Sequence, residues 1–276
     1  MIETTFQTHD FAKAWQNCTR QDPHHRGDSA VDLAFWAKHG RQYDRETAVP
    51  SSCKYSLAFI QNLIQPTDTV LDIGCGSGRF TLPLAKVAHR ITAVDHSPDM
   101  LNLLENKLHS QKIDTVSLIN EAWETAVVEQ HDVVIAAWSL YRMPDLLNDL
   151  KKMVNTAKKR VIIVSSPGSS MRHDPILSQI WPQFDEMSTP LHIYFYGILW
   201  QAGVHAQMHI VEERKLIHGN SAFEIAAQLA PEGAETSDIN TCAGLLTPHL
   251  TVNKSGLQYE QLLPVAMIHW ERKQTG

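Results

Sequence analysis

Several things are scarce in this chain of 276 residues. It has four cysteines, Cys18, Cys53, Cys75 and Cys242, and none form a Cys-x-x-Cys pair. A disulfide-stapled secreted scaffold is thereby excluded, and free thiols in a reducing cytoplasm are expected. The first residues, Met1-Ile2-Glu3-Thr4-Thr5, lack the positive charge and apolar run of a secretory signal. No stretch approaches the roughly 18 consecutive apolar residues of a membrane span. Basic charge is also short, with a formal net charge of -6. That balance argues against a nucleic-acid partner, because phosphate binding needs a concentrated basic surface. The one basic cluster, Lys151-Lys152 with Lys158-Lys159-Arg160, is expected at a helix end, complementing its dipole. The 15 histidines are scattered without metal-ligand spacing, and His24-His25 reads as surface loop, so no metal site is expected.

The pattern along the chain is richer. Residues 1–65 read as a helical cap, with helices around Phe11, Ala14 and Trp15, from Asp32 to about Tyr43, and from Tyr55 to Ile64. Residues 66–276 read as a core. Short apolar runs at 69–73, 90–94, 116–120, 131–137 and 161–165 alternate with amphipathic segments at 79–88, 97–108 and 146–154. Such alternation is the signature of a parallel sheet covered by helices on both faces. Ser97-Pro98 supplies an N-cap and a first-turn proline. Pro83 must start or distort the helix drawn over 79–88. Later, 193–202 reads as helix closed by Gly203, 206–217 and 262–272 as strands, and about 221–256 as a mostly helical insertion.

The first strand runs Val70-Leu71-Asp72-Ile73 into Gly74-Cys75-Gly76-Ser77-Gly78. Glycines at a strand-to-helix bend let the backbone approach a ligand closely, and the helix start offers N–H donors. Two carboxylates narrow the ligand. Asp72 would oppose a pyrophosphate but suits a cation, and Asp95, ending the second strand, can accept both hydroxyls of a ribose. The glycine spacing is also Gly-x-Gly-x-Gly, unlike the usual dinucleotide fingerprint.

These residues resemble class I S-adenosylmethionine-dependent methyltransferases, especially the small-molecule group near the ubiquinone/menaquinone methyltransferases. Val70 to Gly78 is similar to the family's first motif, Ala93 to Leu101 to its acidic motif, and Asp132 to Trp138 to its fourth-strand motif. The likeness covers about residues 40–166, loosens afterwards, and is absent from 1–30 and 221–256. It implies a Rossmann-like α/β fold, a doubly wound seven-stranded sheet, mostly parallel with the last strand antiparallel. It implies S-adenosylmethionine as cofactor and S-adenosylhomocysteine as product. The cofactor would meet Asp72, Gly74, Cys75, Gly76 and Gly78, with Asp95 on the ribose and His96 or Met100 by the adenine. Glu121, Ala122 and Trp123 would lie after the third strand, and Ala137 and Trp138 by the methionine chain.

The acceptor is expected under the N-terminal cap, near Trp36, Tyr43, Tyr141, Arg142, His173, His192, Tyr194 and Tyr196. No catalytic side chain is assigned, because a general base is needed only for a protonated acceptor. Arg142 suggests an anionic acceptor group or a pair with Asp145. The (Asp/Asn)-Pro-Pro-Tyr motif of amino-methylating enzymes is replaced by Ser139-Leu140-Tyr141-Arg142-Met143-Pro144. The cysteine of pyrimidine-carbon methylation is missing from Ser165-Ser166-Pro167-Gly168. A small-molecule acceptor is therefore expected. The alternatives are a cofactor-binding protein without turnover and a dinucleotide-dependent oxidoreductase.

Overall fold

The computed structural model describes residues 9–20, 29–47, 53–167, 174–182, 191–231, 233–253 and 256–272. His24-His25 and His173 lie outside them. Three helices come first: α1 (Phe11–Arg20), α2 (Ser29–Thr47) and α3 (Lys54–Asn62). The alternating core follows as β1 (Thr69–Ile73), α4 (Thr81–Leu84), β2 (Arg90–Asp95), α5 (Pro98–Gln111), β3 (Val116–Asn120), β4 (His131–Ala137), α6 (Leu146–Thr156) and β5 (Ala157–Ser165). The remainder is α7 (Leu191–Gln201), β6 (Gln207–Gly219), α8 (Ala222–Leu229), α9 (Thr236–Leu246), β7 (Thr251–Asn253) and β8 (Gly256–Glu271). No described helix is long and apolar enough to cross a membrane.

The sheet order is β3-β2-β1-β4-β5-β8-β6. The pairs from β3 to β5 are parallel, and β8 runs antiparallel to both β5 and β6. The expected seven strands are present, and the three-residue β7 adds an eighth against β8. The strands bury alternate residues on opposite faces, as a period of two requires. Leu71, Ile73, Val134, Ala136, Val161 and Ile163 pack with Phe11, Trp15, Leu150 and Phe195 of α1, α6 and α7. Val70, Ile91, Val133, Ile135, Ile162 and Val164 pack with Ile60 of α3 and Leu84 of α4.

Local chemistry explains the connections. Ser97 caps α5, its Oγ accepting from the Met100 N–H at 3.4 Å. The helix expected over 79–88 is regular only over Thr81–Leu84, because Pro83 has no N–H to give the preceding turn. Helix α1 docks where Gly197 of α7 leaves room, since a Cβ there would lie 2.5 Å from the Phe11 ring. The Trp15 indole also donates to the Met143 carbonyl at 2.9 Å, tying α1 to the loop after β4.

The basic cluster corrects an expectation. Lys158, Lys159 and Arg160 lie on β5, which starts directly after α6, and not at a helix end. Lys159 bridges Asp68 at 2.6 Å and Asp132 at 3.1 Å, and Arg160 pairs with Glu271. These cations neutralise carboxylates around the amino ends of the strands.

Beyond Ser165, β8 leaves β5 but stays paired with β6 as far as Gly219. The resulting ribbon extends past the carboxyl ends of the parallel strands. It carries α8, α9 and β7 on a separate apolar cluster that includes Ile217, Ile225, Leu229, Cys242, Leu246 and Tyr259.

Candidate functional site

A cavity of about 460 Å³ opens at the carboxyl ends of β1, β2 and β4, where open α/β sheets take their ligands. Its floor is the glycine loop. Gly74 and Gly76 have φ of +67° and +54°, a left-handed backbone that glycine adopts without strain. The Gly74 and Cys75 N–H groups donate to the Val94 carbonyl at 2.8 and 3.1 Å, fixing the loop against β2.

Two buried carboxylates flank this loop. Asp95 accepts from the Gly76 N–H and the Ser97 N–H, each at 2.8 Å, through different oxygens. Burial raises its pKa, opposed by those two hydrogen bonds. Each oxygen keeps a lone pair for a further donor. Asp72 accepts from the Thr81 hydroxyl at 2.6 Å. Burial first, then the charge of Asp95, lifts its pKa to about 6, against the pull of the Thr81 hydrogen bond. Met100, Ala122 and Trp123 supply an apolar wall beside the pair. This donor set fits a ligand with vicinal hydroxyls, an apolar ring and positive charge. A pyrophosphate would meet the same carboxylates as repulsion.

The opposite wall comes from α2 and the turn after β4. Asp32, only 3% exposed, holds the His96 Nε2 at 2.7 Å and pairs with Arg142. The guanidinium of Arg142 lies 5.1–5.3 Å from the ring centres of Phe35, Trp36 and Tyr141, within cation–π range. Trp36 meets Tyr43 edge-on at 5.3 Å. Helix α2 is held at its other end by the ion pair of Asp44 with Lys107 of α5. Lys107 also donates to the Ser77 carbonyl of the glycine loop at 2.8 Å.

Asp72, Gly74, Cys75, Gly76, Asp95, His96, Met100, Glu121, Ala122, Trp123, Ala137 and Trp138 all line this one cavity. Gly78 does not line it. Its missing side chain makes room for Leu104 of α5, whose Cδ1 would lie 2.4 Å from a Cβ. Trp36, Tyr43, Tyr141 and Arg142 line it too, whereas His192, Tyr194 and Tyr196 do not. Tyr194 instead meets the Cys18 thiol at 3.4 Å and the Trp15 ring at 5.8 Å. Tyr196 packs against the core under α1 and α7, and only Leu191 of α7 reaches the cavity. Asp145 does not hold Arg142, since Asp32 does; Asp145 takes the Asn148 amide at 2.6 Å.

Sequence reasoning missed Asp32 and Ser139. The Ser139 Oγ donates to the Ile73 carbonyl at 2.7 Å, joining the loops after β1 and β4. It also missed the backbone of Trp138, whose φ of +59° is unusual for a bulky residue. Its N–H donates to the Val164 carbonyl at 2.9 Å, which holds that geometry at the cavity wall.

The electrostatics yield a pH prediction. The raised pKa of Asp72 means that keeping it ionised weakens the fold as pH rises through about 6. A cationic ligand beside it has the opposite dependence. A cation held against Asp72 should bind with an affinity that rises with pH through about 6 and levels off above 7. Between pH 7 and 5 a loss of about tenfold is expected. Calorimetry across that range checks this, and pH-independent affinity would place the positive group away from Asp72.

Residues 70–160 match the family described as a methyltransferase domain. The chain is 28% identical over 197 residues to an uncharacterized protein of Haemophilus influenzae, covering 70% of this chain and 72% of that one. It is 28% identical over 123 residues to a probable cobalt-precorrin-6B C(15)-methyltransferase (decarboxylating) of Methanobrevibacter smithii, covering 42% of this chain and 65% of that one. Other relatives are 23S rRNA uracil C(5)-methyltransferases, of which the chain spans 26–30%. Among solved structures, the YcgJ protein of Bacillus subtilis shares the fold, with a TM-score of 0.55 at 14% identity over 80% of this chain and 99% of that one.

Proposed function

We propose that this chain, whose residues 70–160 match the methyltransferase-domain family, is a class I, S-adenosylmethionine-dependent methyltransferase and that it methylates a small molecule taken up beneath α2. The observation that carries this reading is the enclosure of the cavity. Trp36 and Tyr43 of α2, with Arg142 packed on the Trp36 ring, join Tyr141 in closing one side of the cavity, whose whole volume of about 460 Å³ lies within the roughly 300–1,000 Å³ of small-molecule pockets. Lys159 and Arg160, two of the five cations of the basic cluster, are already paired with carboxylates.

In this reading Asp95 takes the two ribose hydroxyls, and Asp72 faces the charged methionine end. Gly74, Cys75 and Gly76 bring backbone close to the ligand, and His96, Met100, Ala122 and Trp123 surround the adenine. When bound, S-adenosylmethionine supplies an electrophilic methyl group on sulfur. The protein's part is alignment and exclusion of water. Ala137, Trp138 and Tyr141 wall the path between the cofactor and the acceptor. Helix α2 acts as the cap, fastened through Asp32 to His96 on the cofactor side and to Arg142 on the acceptor side. Four free cysteines are consistent with work in a reducing compartment.

The test separates acceptor classes. Protein is incubated with S-adenosylmethionine and either a low-molecular-mass metabolite extract or total RNA, and S-adenosylhomocysteine release is measured. Release with metabolites is expected. Release with RNA alone would overturn the small-molecule reading, and tight cofactor binding without release from either would point to a binding protein.

A further inference from the structure

Strand β6 closes the sheet at one side, and among the described residues it pairs only with β8. Its thirteen residues, Gln207–Gly219, present one backbone edge without a neighbouring strand. Natural proteins cover or disrupt such edges, because an open edge is a template for another strand. Proline is absent from this one, and exposed apolar side chains lie along it. Ile210 is 51% exposed, and Leu262 beside it on β8 is 46% exposed.

The order of side chains on the open face is self-complementary. Met208, Ile210, Glu212, Arg214, Leu216 and His218 share that face by strand alternation. A two-fold axis through Glu213, perpendicular to the sheet, sets a second copy antiparallel. Glu212 of each copy then lies opposite Arg214 of the other, and Ile210 opposite Leu216. Both pairs occur twice by symmetry. Moving the axis to residue 212 sets Ile210 against Arg214. Moving it to residue 214 sets Glu212 against Leu216. Of these three registers only the first pairs acid with base and apolar with apolar on the exposed face, and cross-strand pairs of this kind stabilise a sheet; on the other face it sets Val211 against Lys215 and Glu213 against its own copy.

Glu213, on the axis, points to the other face and is fully buried. It accepts from the Tyr55 N–H at 3.1 Å, the Ser56 N–H at 2.5 Å and the Ser56 hydroxyl at 2.7 Å. Its carboxyl is thus turned to the first turn of α3 and away from the open edge. Pairing stops at His218, whose carbonyl takes the Gln228 amide at 2.8 Å.

We propose that this edge joins two copies of the chain into one continuous antiparallel sheet. The partner is a second copy because this strand, set against itself about residue 213, brings Glu212 to Arg214 and Ile210 to Leu216 twice over on its exposed face. Sedimentation equilibrium of the full chain should give twice the 31.1 kDa monomer mass. Glu212→Arg sets arginine against Arg214 and should raise the dimer dissociation constant by about tenfold or more. The double variant Glu212→Arg with Arg214→Glu restores both pairs and should recover most of the dimer, despite losing the 2.7 Å contact of Arg214 with Glu260. Circular dichroism should stay unchanged throughout. A monomeric wild type at high micromolar concentration would overturn the proposal, as would a dimer indifferent to both Glu212→Arg and Ile210→Lys. Equal weakening by the single and double variants would show that the charges act only as edge guards.

Discussion

Alanine at position 95 should weaken S-adenosylmethionine binding by about 1–3 kcal/mol, the cost of leaving buried polar partners unpaired. That corresponds to roughly 5- to 150-fold in affinity. Two consequences of the substitution pull in opposite directions. The Gly76 and Ser97 N–H groups lose their acceptor, which loosens the loop that shapes the cavity. A buried carboxylate also disappears, and with it the burial that raises its pKa. Relief of that burial offsets part of the lost hydrogen bonding, so the free protein should melt close to the wild type. Cofactor affinity has no such compensation. Calorimetry with S-adenosylhomocysteine, beside thermal melts of the free protein, separates the two effects. Unchanged affinity would show that the ribose lies elsewhere, whereas a large drop in melting temperature alone would make Asp95 a structural residue.

Alanine in place of Gly74 should cost more in stability. The left-handed backbone at +67° is penalised by about 1–2 kcal/mol in a residue with a Cβ. The added Cβ would also stand 2.3 Å from the Ser139 Cβ, an atom that cannot swing away as a side-chain tip can. Overpacking of this kind typically adds about 1–3 kcal/mol. Together they predict a melting temperature lower by roughly 5–15 °C. Gly203 provides the control. Its φ is +77°, yet nothing lies within 4 Å of an added Cβ. Gly203→Ala should therefore show the conformational part alone. Equal shifts for the two variants would mean that the loops after β1 and β4 part freely, removing the steric half of the account.

The parts that were legible in the sequence are local ones. The bend from Asp72 through Gly78 and the turn from Asp95 through Ser97-Pro98 each hold their chemistry within ten residues. Their strand, glycine and cap signals agree, so backbone and side-chain roles could be read together. The wall facing them was legible in part: Trp36, Tyr43, Tyr141 and Arg142 were expected there and line the cavity, but the carboxylate that holds it together was not foreseen. Asp32 meets His96 and Arg142 through tertiary packing, and no periodicity relates those positions. Helix α7 failed for another reason. Leu191-His192-Ile193-Tyr194-Phe195-Tyr196 is apolar nearly all round, so no polar stripe marked which face met solvent and which met α1. Its phase was set by the Phe11 ring at Gly197, and that turned Tyr194 and Tyr196 away from the cavity. The positive φ of Trp138 left no trace in composition, because tertiary hydrogen bonding imposes it.

Asp32 has a consequence of its own. One carboxylate serves two partners, the His96 imidazole beside Asp95 and the Arg142 guanidinium among the aromatic rings. Their donors crowd one buried group, so withdrawal of either partner leaves the carboxylate to the other. Whatever draws His96 toward Asp95, 3.6 Å away, leaves Arg142 a larger share of Asp32. Whatever draws Arg142 outward does the reverse. Removal of this one carboxylate should therefore release His96, beside the glycine loop, and Arg142, among the aromatic rings, together.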